Sequence, residues 1–142
     1  MAFGSFVRGI DISQSKCAWI CTDERVVRAY DADPACGFTF TLNGFENLFT
    51  LMQRAYSPRG WQVKNPSLPV FFISGAQDPC RVSDRAFLKA VHFLRRRGYH
   101  QVEWKEYAAA RHELLNETGK ARVFADVLSF LRYHPGADKQ SD

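Results

Sequence analysis

The sequence predicts an α/β fold with parallel strands. Its composition fits one folded globular domain, because the 142 residues are 46% apolar and 24% charged. The segment 67–133 has the pattern strand, helix, strand, helix, and a connection of this length between two strands requires a right-handed crossover with parallel pairing. We therefore divide the chain into a mainly helical segment at 1–66, an α/β segment at 67–135 and a polar tail at 136–142.

Two helices are expected in the first segment, one at about 23–30 and one that begins near 43–44 and ends at 57–60. The second is predicted by apolar residues at helical spacing, namely Phe45, Leu48, Phe49, Met52 and Ala55. This segment has more aromatic residues than such short helices can bury. We expect the surplus to face another surface or a substrate, and it comprises Phe38, Phe40, Phe45 and Phe49.

The α/β segment opens with a near-continuous apolar run at 68–74, with Pro69 near its start, which is typical of a strand buried on both faces. A helix should follow, capped by Ser83 or Asp84 and stopped by Gly98. Its predicted inner face consists of Phe87, Leu88, Val91 and Leu94.

The next strand is predicted at 101–107, partly exposed, with Val102 and Trp104 on one face and charged residues on the other. After a loop at 108–118, a last helix should complete the fold. Its inward residues are predicted to be Val123, Phe124, Val127, Leu128 and Leu131.

Charge and cysteine content exclude several classes of protein. A net charge of +4 is small and scattered, which disfavours nucleic-acid binding, and the cluster at 95–97 fits a helix end, where positive side chains complement the helix dipole. The four cysteines form no CxxC pair, so we expect reduced thiols and no metal site. No segment approaches the ~18 to 20 apolar residues of a membrane span, and residues 1–11 do not resemble a signal peptide. The predicted location is cytoplasmic.

Two titratable residues follow the predicted strands. Asp78 comes four residues after the first strand and His112 five residues after the second. Functional side chains of parallel α/β sheets lie beyond the carboxyl ends of the strands, and neighbouring strands are ~4.8 Å apart. We therefore expect Asp78 and His112 to meet, which would give two members of a nucleophile, base and acid relay.

The surroundings of both residues closely resemble the acid and histidine motifs of α/β-hydrolases. These surroundings are LPVFFISGAQDP at 68–79 and YAAARHELLNE at 107–117. The nearest group is the monoacylglycerol lipase and lysophospholipase-like branch, with Ala109-Ala110 standing here where a glycine-containing turn is usual. The segment DADPACGF at 31–38 is similar to the end of the cap that covers the site in that branch. The resemblance covers residues 3–133.

This resemblance implies the C-terminal part of an α/β-hydrolase fold, preceded by a mainly helical cap. It implies that Asp78 is the acid and His112 the general base of a Ser-Asp-His triad, and that Glu113, Asn116 and Glu117 hold the histidine loop. The implied activity is that of a serine carboxylic-ester hydrolase acting on monoacylglycerol- or lysophospholipid-like esters without a cofactor. Substrate-binding residues stay unassigned. The remaining histidines are expected to be structural or solvent-facing, namely His92, His100 and His134.

The nucleophile of such a triad is not found in the sequence. No serine lies in a G-x-S-x-G elbow, and no HGxG-like oxyanion segment is present. Ser74 and Cys80 lie near the acid, but a carboxylate does not activate a hydroxyl or a thiol. Because the family order is serine, acid, histidine, we expect the serine to lie N-terminal to Met1 and the chain to be inactive alone.

A sheet without its remaining strands would expose an edge and an apolar face. We therefore expect this chain to pair with the N-terminal half of the fold or to form a homo-oligomer. The alternative is a non-catalytic binding or assembly module built on a truncated hydrolase fold.

Overall fold

A computed structural model describes residue 7 and residues 9–134 of the chain. In this part the elements are α1 (Glu24–Ala32), α2 (Leu42–Ala55), β1 (Val70–Gly75), α3 (Asp84–Arg97), β2 (Val102–Tyr107) and α4 (Lys120–Tyr133). Short 3-10 turns lie at Ala18–Ile20 and Pro79–Arg81. The predicted polar tail at 136–142 lies outside the described residues.

The two strands pair in parallel, from Val70 opposite Val102 to Gly75 opposite Tyr107. α3 forms the crossover between them, so the α/β class is confirmed. The prediction that the first strand is buried on both faces is wrong for its first four residues, which are only half-buried. Within the described residues β1 has β2 as its single neighbour, so its other edge lacks the strand that would complete its burial.

Helix α3 follows its prediction closely. The Ser83 hydroxyl accepts a hydrogen bond from the Ala86 N–H at 3.1 Å, and the helix stops at Gly98, whose φ of 106° favours glycine. The arginine cluster occupies its last turn, as expected. One face packs on the sheet through a buried group of three residues, Phe87, Val91 and Val102.

Helix α4 covers the opposite face of the sheet, and only a narrow stripe of its apolar side chains contacts the sheet. Val123 is buried, Val127 packs beside it, and Phe130 stacks on Phe71 with ring centroids 4.9 Å apart. The prediction that all five apolar residues point inward is wrong for three, because Phe124, Leu128 and Leu131 are about half exposed or more. The residues 123 and 124 are ~100° apart around the helix, and the two-stranded sheet is wide enough for one stripe only.

Trp104 shares a face of β2 with Val102, as predicted for this partly exposed strand. It lies on the α3 side of β2 and meets the Phe87 ring edge-on at 6.0 Å, yet 45% of the residue is exposed. β2 has no neighbour beyond β1 among the described residues, so one side of the indole stays uncovered.

The first segment contains both predicted helices. α2 begins at Leu42, slightly before the predicted start, because the Thr41 hydroxyl accepts from the Gly44 N–H at 3.1 Å and caps the helix. No residue of α2 is fully buried. The surplus aromatic rings contact one another over centroid distances of 5.5 to 6.2 Å and stay partly exposed, and they are Phe38, Phe40, Phe45 and Phe49.

All four cysteines are free thiols. The helices in the described part of the chain are too short or too polar to cross a membrane.

Candidate active site

The loop between β1 and α3, residues 76–83, contains Asp78 and is called the acid loop below. Asp78 caps the 3-10 turn at Pro79–Arg81, and its Oδ1 accepts a hydrogen bond from the Cys80 N–H at 2.8 Å. Proline at the first position of this turn fixes the backbone that presents the cap. One carboxylate oxygen is thus held by the backbone, and the other, Oδ2, is directed to a second partner.

The histidine loop, residues 108–119, connects β2 to α4. Backbone hydrogen bonds join its start to the acid loop. The Ala76 N–H donates to the Tyr107 carbonyl at 2.9 Å, and the Gln77 N–H donates to the Ala110 carbonyl at 3.0 Å. The loop turns through a bond from the Ala110 N–H to the Tyr107 carbonyl at 3.2 Å. The turn at 107–110 therefore closes without the glycine that is usual in the resembling proteins.

Gly75 permits this close approach of the two loops. A Cβ at residue 75 would lie 2.2 Å from the Arg111 carbonyl oxygen and 2.3 Å from that of Ala110. Real Cβ contacts are not that short, so a side chain here would push the histidine loop away. The small residue at the end of β1 thus sets the position of His112.

The two loops bring Asp78 and His112 together, as predicted. The Nδ1 atom of His112 lies 3.0 Å from Oδ2 of Asp78. The Asp78 side chain is 11% exposed and the His112 side chain 45% exposed, so the acid lies behind the imidazole and the ring faces outward. This is the order in which a carboxylate can fix a histidine tautomer while the ring reaches an outside group.

The contact shifts both pKa values. The hydrogen bond with Asp78, with a contribution from Cys80, raises the pKa of the His112 imidazole to about 10. Burial raises the pKa of the Asp78 carboxyl, but the hydrogen bonds from His112 and from the Cys80 N–H outweigh it and leave that pKa below its usual value. The pair is therefore a carboxylate with an imidazolium at neutral pH.

The histidine loop is anchored by the side chain of Glu117, a residue that is only 1% exposed. Its carboxylate accepts from the Arg111 N–H at 2.6 Å, from the Thr22 N–H at 3.1 Å and from the Thr22 hydroxyl. The Arg111 guanidinium donates to the Ala18 carbonyl at 2.6 Å. Arg111, the residue before His112, is thus fixed to the 3-10 turn at Ala18–Ile20, although the two residues Arg111 and Ala18 are 93 positions apart in the sequence.

Two further contacts stabilise the loop after His112. The Glu113 N–H donates to the Ile20 carbonyl at 2.8 Å, and the Asn116 side-chain amide donates to Glu113 Oε2 at 2.9 Å. Glu113, Asn116 and Glu117 therefore hold the histidine loop, as the resemblance implied.

Sequence reasoning missed two neighbours of the imidazole. The Trp19 ring lies 5.3 Å from that of His112, with no sequence signal for it. Cys80 is close to the acid in sequence, and it also lies beside His112: one ligand atom each from Asp78, Cys80 and His112 falls within 4.8 Å of the others. Its spacing two residues after Asp78 was the available signal.

The other candidates lie elsewhere. Ser74 is buried, and its hydroxyl donates to the Gly75 carbonyl at 3.2 Å. His92 is exposed on α3, and His134 pairs with Glu103 at 2.9 Å. His100 is exposed after Tyr99.

Comparison with known proteins identifies the family of this chain. The Hydrolase_4 family model, described as serine aminopeptidase, S33, matches residues 2–119. The chain belongs to this α/β-hydrolase family. No curated protein gives a significant match to the α/β-hydrolase chain.

A solved structure similar to this α/β-hydrolase chain is a highly thermostable carboxyl esterase from Bacillus coagulans in complex with glycerol. The TM-score is 0.69, the identity is 23%, and the match covers 89% of this chain and 42% of the esterase. At this identity the likeness shows the fold. The α/β-hydrolase chain spans about two fifths of the length of that esterase.

Proposed function

We propose that this chain supplies the acid and the base of a Ser-Asp-His triad in a carboxylic-ester hydrolase. The supporting observation is the 3.0 Å contact of Asp78 with His112 at the carboxyl ends of two parallel strands. Membership of an α/β-hydrolase family supports the same chemistry. The serine would lie outside these 142 residues, because the sequence has no G-x-S-x-G elbow.

In the proposed mechanism His112 takes the proton of the serine hydroxyl and later gives it to the leaving alcohol. Asp78 binds Nδ1, which leaves Nε2 as the nitrogen that faces the serine. The Asp78 carboxylate also stabilises the imidazolium formed in each step. Because the pKa of His112 is about 10 in this chain, approach of the serine segment must favour the neutral ring before it can act as a base.

The proposed substrates are acyl esters of the monoacylglycerol or lysophospholipid type. The motifs at 68–79 and 107–117 support this branch, and the exposed aromatic rings near the start of α2 offer an apolar surface for an acyl chain. Phe38 and Leu42 are 64% and 90% exposed. Such large apolar groups favour contact with a ligand or another surface.

A second candidate function is a non-catalytic assembly module, and the same exposed groups favour it. Leu128 and Leu131 on α4 add to the uncovered apolar surface. Covering them would require the N-terminal part of a hydrolase fold or a second copy of the chain. The two functions differ in one respect, because a module needs no contact between Asp78 and His112.

The test compares this chain with the product of an upstream-extended reading frame. Both are treated with a fluorophosphonate probe, which labels activated serines, and assayed for hydrolysis of p-nitrophenyl butyrate. We expect no labelling of the chain alone, and labelling with turnover for the longer product. An upstream frame without a G-x-S-x-G segment would contradict the proposal. So would turnover by the chain alone that is lost in His112→Gln but kept in His92→Gln.

A further inference from the structure

Three side chains of different chemistry converge at the acid loop. Asp78 caps the 3-10 turn that contains Cys80, and His112 faces Asp78 from the neighbouring loop. One oxygen, one sulfur and one nitrogen ligand atom from these residues lie within 4.8 Å of one another. We propose that Asp78, Cys80 and His112 form a zinc-binding site, which the sequence did not predict.

The donor set decides the ion. Zinc accepts thiolate, imidazole and carboxylate ligands together, whereas magnesium and calcium prefer oxygen ligands alone. Two nitrogen or oxygen ligands of a tetrahedral zinc ion are about 3.3 Å apart at normal bond lengths. The Nδ1 of His112 and the Oδ2 of Asp78 are 3.0 Å apart, so these two atoms need only a small adjustment to share one ion.

The sulfur ligand can reach the same point. A sulfur and a nitrogen bound to one tetrahedral zinc ion are about 3.6 Å apart. The sulfur lies no more than 4.8 Å from a ring nitrogen of His112 and a carboxylate oxygen of Asp78, so it must come at most about 1.2 Å closer, which a rotation of the side chain provides. Cys80 is exposed, which favours this rotation.

The surroundings favour a stable but open site. The Cys80 N–H holds Oδ1 of Asp78 at 2.8 Å, which orients the carboxylate from behind as neighbouring hydrogen bonds do at zinc sites. The exposed side of His112 leaves room for water as a fourth ligand. Three protein ligands with one open position predict reversible binding.

Zinc at this site would stop the proposed relay. The ion takes the position of the Nδ1–Oδ2 hydrogen bond, so His112 can no longer be held by Asp78 or exchange the serine proton. This inhibition rests on the proposed function, whereas the binding site rests on geometry alone. Binding and inhibition are therefore measured separately.

Binding is tested on the full chain after removal of metal with EDTA. Calorimetric titration with zinc should give one equivalent, and cobalt should give the near-ultraviolet absorption of a thiolate-to-metal charge transfer. Cys80→Ser should weaken zinc binding by at least about tenfold and remove that absorption, since loss of a ligand should cost no less than loss of a supporting hydrogen bond. His112→Gln should weaken binding similarly.

Matched controls are Cys36→Ser and His92→Gln, which alter the same residue types outside the cluster and should leave the affinity unchanged. Circular dichroism checks that each variant is folded. Zinc affinity equal to wild type in both Cys80→Ser and His112→Gln would overturn the proposal, as would the absence of any one-to-one binding. Inhibition of the longer, serine-containing product by zinc tests the regulatory consequence, and its failure would leave the binding result intact.

Discussion

Gly75 lies directly against the backbone of Arg111, since a Cβ at residue 75 would be 2.2 Å from the Arg111 carbonyl oxygen. The end of the first strand thus sets where the histidine loop passes. The distance between Asp78 and His112 follows from this backbone contact and from the hydrogen bonds that join the two loops.

Gly75→Ala should therefore destabilise the fold and displace the histidine loop. The methyl group meets backbone atoms, which cannot rotate away, so we expect a loss of about 3 kcal/mol in the free energy of unfolding. Urea denaturation measures it. Gly119→Ala is the matched control, because its Cβ meets open space, and it should cost less than about 1 kcal/mol. Equal losses in the two variants would contradict the contact.

The His112 imidazole should titrate far above its usual pKa. The Asp78 hydrogen bond raises that pKa to about 10, so NMR of the metal-free chain should show the imidazolium form at pH 8. Asp78→Asn should return the pKa toward 6.5. A titration near 6.5 in the wild type would show that the hydrogen bond is absent.

The same shift predicts how stability depends on pH. A pKa that is higher in the folded state stabilises the fold fully below the unfolded value of about 6.5, and this contribution is lost as the pH rises through about 10. The unfolding free energy of the metal-free wild type should fall across this range relative to His112→Gln. Parallel pH profiles would contradict the shift.

Glu117 should be the acidic residue that the fold tolerates losing least. Glu117→Ala leaves the partly buried N–H groups of Arg111 and Thr22 without an acceptor, at about 1 to 3 kcal/mol each. Urea denaturation should show a loss of several kcal/mol. Glu113→Ala removes a carboxylate with one exposed side-chain bond and should cost much less. Similar losses would contradict the anchoring role of Glu117.

Val82 is held in a strained turn close to the acid loop. Its φ is 65° and its ψ −52°, and the Ser83 N–H donates to the Arg81 carbonyl at 2.7 Å, which closes a γ-turn. Val82→Gly should raise the unfolding free energy by about 1 kcal/mol and the thermal midpoint by a few degrees. Val82→Ala keeps the Cβ and should gain less. A lower midpoint in Val82→Gly would contradict the strain.

Local sequence signals predicted the elements that depend on local chemistry. Ser83 and Gly98 bound α3 as expected, since capping and positive φ are properties of single residues. The meeting of Asp78 with His112 followed from one general rule, that the carboxyl ends of parallel strands share an edge.

The errors concern long-range relationships. Periodicity identified the apolar residues of α4 but not the width of the sheet beneath them, so Phe124 and Leu128 were wrongly placed inside. Glu117 was expected to hold the loop, but its partner Thr22 is 95 positions away and no local pattern pairs them. The closeness of Cys80 to His112 likewise depends on how two loops fold against each other.

The most direct measurement is the kcat for p-nitrophenyl butyrate of the longer, serine-containing product with Asp78→Asn. We expect a fall of about 10³- to 10⁴-fold, because the histidine loses the group that fixes its tautomer. Asp84→Asn is the control, since its side chain is 86% exposed and lies outside the pair, and its kcat should be unchanged. A kcat of Asp78→Asn equal to that of the control would contradict the acid and base roles proposed for Asp78 and His112.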